Sequence, residues 1–237
     1  MSETKTVREH LKELKKRLTK IIITAVIIFF LSFMISENII IFLINYFELE
    51  LFVLSPLEFI RSQLMISLYI TLMLLLPFTI TQIYYFAKPA MKQKTKQKAT
   101  TYFIQSLTLA IIGFIFGIFI FSKFSLDFFA SLPGEVSALW GVYSAIVFII
   151  ISGFAFALTM QLILIIPILV KTGLVDINTF KKSRGIIIII ALAASAILTS
   201  PDPLTQILMS IPMYFCFEAG ILISIIQKNK EFKKYKV

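Results

Sequence analysis

The sequence predicts an all-α integral membrane protein of six transmembrane helices with both chain ends on the cytoplasmic side. Long uncharged apolar runs alternate with seven polar segments that hold 7, 1, 5, 1, 4, 0 and 5 Lys and Arg residues in chain order. The first, third, fifth and seventh segments therefore carry 21 of the 23 basic residues. Lys and Arg are retained on the cytoplasmic side of a membrane, so the alternation gives both the number of crossings and their orientation. Composition agrees: the chain is 58% hydrophobic with a mean hydropathy of +0.92, and 24 Phe stand against 8 Gly and 8 Pro. A water-soluble domain of 237 residues could not cover that much apolar surface.

The elements follow in order. Residues 1–20 are charged, with Val7, Leu11, Leu14 and Leu18 at helical spacing. Glu9, Glu13 and Arg17 succeed one another at i,i+4 on another face. A helix lying on the inner membrane surface and leading into the first span is expected. The first apolar run lacks a small-residue cleavage site, so it reads as a retained span. Spans are expected at about 21–36, 63–87, 100–122, 144–170, 186–200 and 204–226, with 227–237 as a cytoplasmic tail; 1–237 forms one polytopic membrane domain.

The first and fifth spans look short. Only 16 uncharged residues separate Lys20 from Glu37, and 17 separate Arg184 from Asp202. The latter is about 25 Å of helix against a hydrocarbon core of about 30 Å, a mismatch to be met by thinning, snorkelling or partner helices. On the outer side, segment 37–62 suits an interfacial helix followed by a cap. Segment 123–143 contains Pro133-Gly134 and places Trp140 and Tyr143 as interface aromatics. Ser200-Pro201-Asp202-Pro203 allows only a tight turn, making the last two spans a hairpin.

Polar side chains inside spans need a partner or water. Glu218, in the sixth span, is either a polar contact for a ligand or partner helix, or a carboxyl that is protonated or reaches the inner interface. Gln161, in the fourth, suits a hydrogen bond across helices, within the chain or to a partner. Gln206 lies one turn beyond Asp202, and the two can form an outer polar cluster, although Asp202 also suits a plain turn. Glu13 sits among Lys12, Lys15, Lys16 and Arg17. Its pairing with Arg17 is worth only about 0.2–0.5 kcal/mol, so an incoming guanidinium could compete for the carboxylate.

Other chemistry is poorly supplied. Cys216 is the one cysteine and His10 the one histidine, which leaves no disulfide within the chain and no His/Cys metal cluster. No cofactor is expected. The net charge of +10 is juxtamembrane and suits anionic lipid; the basic runs lack the interleaved aromatics of a nucleic-acid binder.

Several motifs, in order, carry a resemblance. His10-Leu11-Lys12-Glu13-Leu14-Lys15-Lys16-Arg17-Leu18 resembles the N-terminal signature of TatC, the receptor subunit of the twin-arginine protein translocase. Ser55-Pro56-Leu57, Pro77, Gln82 and Lys88-Pro89-Ala90-Met91 continue it. So do Leu198-Thr199-Ser200-Pro201-Asp202 with Gln206, and Ile211-Pro212-Met213-Tyr214 with Phe217-Glu218 and Gly220. The resemblance implies a concave, glove-like bundle with short fifth and sixth helices in a cell membrane, a prokaryotic plasma membrane before a thylakoid or mitochondrial inner membrane. It further implies binding of the twin-arginine signal peptides of folded cargo, and assembly with TatA- and TatB-type single-span proteins and with further receptor copies. The arginine-pair site would use the acid corresponding to Glu13, with Glu9 and Arg17 beside it, and Asp202, Gln206, Pro212, Glu218 and Gln161 would belong to the intramembrane and docking surfaces. Transport would draw on the proton-motive force.

Three departures bear on that expectation. Thr95 stands where the family usually has a second glutamate, in a loop, 88–98, with five lysines and no acid. Gln161 replaces the family's buried glutamate, with Ile163 where proline is common. Lys15 replaces a common arginine, and Ser200 the first proline of the turn. A small-solute transporter is the main alternative, but no internal repeat is evident. An intramembrane enzyme would need a catalytic constellation that the spans lack.

Overall fold

The computed structural model describes residues 7–48, 51–52, 55, 57–87, 99–131, 140–198 and 203–234; at 7–18, 51, 83–87, 99, 140, 198, 204–205 and 229–234 it describes backbone only. Among these residues the fold is helical except for one two-residue parallel bridge. Five helical runs are long and apolar enough to cross a membrane: Thr19–Phe47, Glu58–Gln82, Thr100–Ala130, Val142–Thr172 and Gln206–Lys228; Arg184–Ile197 is a shorter apolar helix.

Helix α1 is one unbroken helix over Val7–Phe47, 41 residues and about 60 Å long. This corrects the expectation of a separate surface helix, a short span and an interfacial helix. The stretch contains no Gly or Pro, and charged residues such as Glu37 mark contact with water without breaking a helix. The helix stops at Glu48, whose backbone is left-handed with φ 52°. Its N-terminal half is exposed along Ile23, Ile27, Phe30 and Met34, whereas Ile40 and Leu43 nearer its C-terminal end are buried.

Strand β1 (Leu51–Phe52) pairs in parallel with β2 (Trp140–Gly141), Leu51 opposite Trp140 and Phe52 opposite Gly141. Helix α2 (Glu58–Ala87) contains Pro77. Helix α3 (Ala99–Ile115) passes into a π-helical turn, Phe116–Ser122, and then α4 (Lys123–Ala130). Ser122 Oγ donates to the Gly117 carbonyl at 2.8 Å within that wide turn.

Helix α5 (Val142–Met160) crosses this run at very short range. A Cβ on Gly113 would lie 2.5 Å from the Phe156 carbonyl oxygen, and one on Gly117 would overlap that of Ser152. Gly113 and Gly117, four apart on one face, let the backbones meet, as small residues do in membrane helix pairs. Around the crossing, Ile66, Ile118, Leu126, Ile146, Ile149 and Ile150 pack with Ile40 and Leu43 as one core group.

Past a break at Gln161, α6 (Leu162–Thr172) ends at Gly173, left-handed with φ 75°. The short α7 (Ile177–Lys182) is capped by Asp176, whose Oδ1 accepts from the Asn178 N–H at 2.8 Å. Helix α8 (Arg184–Leu198) has 15 residues, about 22 Å. Helix α9 (Pro203–Lys234) has 32 residues. Its apolar part, Gln206–Lys228, is 23 residues long and coincides with the expected sixth span to within two residues, and the helix runs on through the polar residues to Lys234, so that the helix as a whole is not short. Helix α9 packs on α6 and on α8.

Candidate functional site

At the start of the chain, α1 holds Glu9, Glu13 and Arg17 one turn apart. Residues four apart on a helix share a face, so the two acids and the arginine form a single row. Their side chains lie outside the described residues, as does Thr95 altogether.

Glu218 lies on α9, and the structure joins it to the first residue of α8. Arg184 Nε and Glu218 Oε1 are 2.7 Å apart, and Arg184 Nη2 donates to Glu218 Oε2 at 2.8 Å. Tyr214 Oη, one turn earlier on α9, donates to Oε1 at 2.9 Å. This is a two-pronged guanidinium–carboxylate pair with a third donor, the geometry that fixes orientation as well as charge. In the sequence Arg184 is the charged boundary of the fifth span. The available clue was pairing logic: a carboxylate in a span needs a cation, and the hairpin partner begins with one.

The other end of the same hairpin is tied by neutral groups. Gln206 Nε2 donates to the Leu192 carbonyl at 2.9 Å, and Ser195 Oγ donates to the Gln206 carbonyl at 3.0 Å. Ser195 is fully buried. Asp202 falls outside the described residues, so its grouping with Gln206 is not seen. Pro212 interrupts the α9 ladder two residues before Tyr214, where its last polar tie begins.

Gln161 is buried at the break between α5 and α6. Its Oε1 accepts from Ser106 Oγ at 2.8 Å, and its Nε2 donates to the Ser106 carbonyl at 3.2 Å and the Ala157 carbonyl at 3.4 Å. The amide thus bridges α3 and α5 within the chain. Only a group with both a donor and an acceptor can engage both Ser106 atoms in this way.

Glu58, absent from the sequence-based candidates, is 6% exposed and accepts from the Tyr143 N–H at 2.9 Å. Carboxylates favour helix N-termini because the first N–H groups lack helical acceptors. The sequence signal was an acid at the edge of an apolar run, but its target lies on another element.

Along its length, between the two ties and past them, the hairpin presents apolar side chains outward. Ile186, Ile189, Ile190 and Ile197 of α8, and Ile207, Ile211, Phe215, Leu222 and Ile226 of α9, are each about half exposed or more. Among the described residues no cluster of His, Cys, Asp and Glu is arranged to hold a metal.

The protein-family model described as Sec-independent protein translocase protein (TatC) matches residues 9–212. The Sec-independent protein translocase protein TatC of Aquifex aeolicus strain VF5 is 29% identical over 95% of this chain and 98% of its own. That of Escherichia coli strain K12 is 26% identical over 94% of this chain and 90% of its own. A crystal structure of the twin arginine translocase receptor TatC in DDM superposes with a TM-score of 0.79 at 27% identity, covering 91% of this chain and 99% of that one.

Proposed function

Since the chain belongs to the TatC family, as a multi-pass membrane component of the Sec-independent protein translocase, we propose that it is the receptor that binds twin-arginine signal peptides. The coarser role is transport and not catalysis. The observation that supports the finer one is the row of Glu9, Glu13 and Arg17 on a helix that runs without interruption into the first apolar stretch. A carboxylate receives the guanidinium fork through two parallel hydrogen bonds, which an ammonium cannot copy. Glu13 is the principal acceptor. Glu9 lies one turn earlier, and Arg17 competes with the incoming peptide until it is displaced. Thr95 contributes no charge to this site, so discrimination falls on the α1 acids.

In this reading both chain ends are cytoplasmic, six helices cross a prokaryotic plasma membrane, and anionic lipid meets the basic inner segments. The outward stripes of α8 and α9 receive the single helix of a TatA- or TatB-type partner, with Asp202, Gln206 and Pro212 on that hairpin. Glu218 and Gln161 tie the helices behind it, and copies of the receptor associate in the working complex.

The test is photocrosslinking of a twin-Arg signal peptide to this protein in membranes, with Glu13→Gln and a twin-Lys peptide as controls. Loss of the adduct in both controls is the expected result. Equal adducts in all three would reject the receptor reading. Solute uptake in proteoliposomes of this chain alone should be absent.

A further inference from the structure

The hairpin of α8 and α9 poses a problem of register. Between Arg184 and Leu198 the sequence of α8 is Gly-Ile-Ile-Ile-Ile-Ile-Ala-Leu-Ala-Ala-Ser-Ala-Ile, with Ser195 its one polar side chain. In lipid no hydrophobic force selects which face of such a helix turns inward, and packing of near-equivalent isoleucines distinguishes rotations weakly. Polar ties must therefore set the rotation. Near one end, the Leu192 carbonyl and Ser195 meet Gln206. At the other, Arg184 meets Glu218 and, through it, Tyr214.

The spacing of these ties is matched. Gln206 and Glu218 are 12 residues apart on α9, about 18 Å, while Arg184 and Ser195 are 11 apart on α8, about 16 Å. Two antiparallel helices tied at both points have one register, and α8 has few other contacts: it packs mainly on α9. The outer tie consists of neutral hydrogen bonds whose acceptors are both backbone carbonyls, and the one on α8, that of Leu192, is a group that every turn of α8 repeats. The inner tie joins two specific side chains by a planar fork, which no neighbouring residue on α8 can reproduce. Arg184 is half exposed and Glu218 one-fifth exposed, so the pair sits at the margin of the bundle and is not part of its sealed core.

We propose that Arg184 and Glu218 are positioning residues for the docking hairpin: their ion pair fixes the rotation of α8 and so determines which isoleucines face an incoming partner helix. The inference rests on the docking role proposed above. With the pair formed, Ile186, Ile189, Ile190 and Ile197 point outward and Ala191 packs inward with Met209 and Met213. With the pair broken, α8 turns on its axis and this distinction is lost.

The experiment uses the full chain in membranes with a single-span TatA- or TatB-type partner. A photoreactive side chain is placed in turn at Ile186, Ile189, Ile190, Leu192, Ala194 and Ile197. Backgrounds are wild type, Arg184→Glu, Glu218→Arg and the double swap. A second readout needs no partner: Ala191→Cys with Met209→Cys, in a Cys216→Ala chain, is oxidised in the same four backgrounds. Expected are helical periodicity of partner adducts in wild type, loss of that periodicity and of the disulfide in each single variant, and recovery of both in the swap. Undiminished periodicity in the single variants overturns the positioning role. So does loss of the disulfide with partner adducts unchanged. Absence of wild-type adducts at every position instead overturns the docking role; the disulfide would then still show whether the pair sets the register. A signal-peptide adduct retained in all backgrounds confirms that the single variants remain folded.

Discussion

Glu58 and Tyr143 stand 85 residues apart and are joined by one hydrogen bond, from the Tyr143 backbone N–H to Glu58 Oε1 at 2.9 Å. With the two-residue bridge of Leu51–Phe52 to Trp140–Gly141, it stitches the start of α2 to the start of α5. Glu58→Ala removes a carboxylate from a helix N-terminus and should destabilise the protein by about 0.5–2 kcal/mol. Glu58→Gln keeps a carbonyl acceptor and should lose less. Hydrogen exchange at the Tyr143 amide would report the change locally; equal exchange in wild type and Glu58→Ala would show that the bond is not formed in solution.

The bridge between Gln161 and Ser106 predicts a sign for the substitution that restores the family's usual acid. A carboxyl group in place of the amide cannot donate to the Ser106 carbonyl unless it is protonated. Gln161→Glu should therefore lower thermal stability in detergent at neutral pH, and less so in acid. A double-mutant cycle of Gln161→Ala and Ser106→Ala should give a coupling of about 0.6–1.7 kcal/mol, the range for hydrogen bonds between membrane helices. Additive losses would contradict the bridge.

Gly113 and Gly117 predict a steric failure. Alanine at either would drive a methyl into backbone of α5, and overpacking of this kind costs about 1–3 kcal/mol. The double alanine variant should melt earlier than either single one. Gly185, whose added Cβ meets nothing within 4 Å, is the matched control and should accept alanine without loss.

Thr95 offers a gain-of-function test of the proposed receptor role. Thr95→Glu supplies the acid that the loop lacks and should tighten twin-Arg peptide binding by up to about fivefold, the worth of an exposed charge pair. The gain should fade with added salt. Fluorescence anisotropy with twin-Arg and twin-Lys peptides would measure it, and an equal gain for both would indicate charge attraction without recognition.

How much of this was legible depends on the range of the interaction concerned. The apolar runs and alternating charge locate the helices, because burial in lipid is a property of each segment alone. Helix ends are less legible: Glu37 marks the end of an uncharged run, yet α1 continues to Phe47, since propensity and not charge decides where a helix stops. Gln161 and Glu218 stood out as costly groups in apolar surroundings, but their partners, Ser106 and Arg184, did not. Each partner lies on a different helix, and one sequence contains no record of which faces meet. The crossing at Gly113 and Gly117 was readable in principle, as small residues four apart.

Among the long helices of the described residues, α1 alone lacks a weak point. Helix α2 contains Pro77, α3 passes into a π turn, α5 breaks at Gln161 and α9 contains Pro212. Helix α1 has no proline, glycine or widened turn, and packs chiefly against α2. It is mechanically a lever. A tilt of about 10° in a rod of about 60 Å displaces one end by about 10 Å relative to the other. A rigid tilt of α1 that moved Glu13 would also move Tyr46 near its far end, whose ring meets Phe119 edge-on at 5.0 Å and lies beneath the Lys123 ammonium.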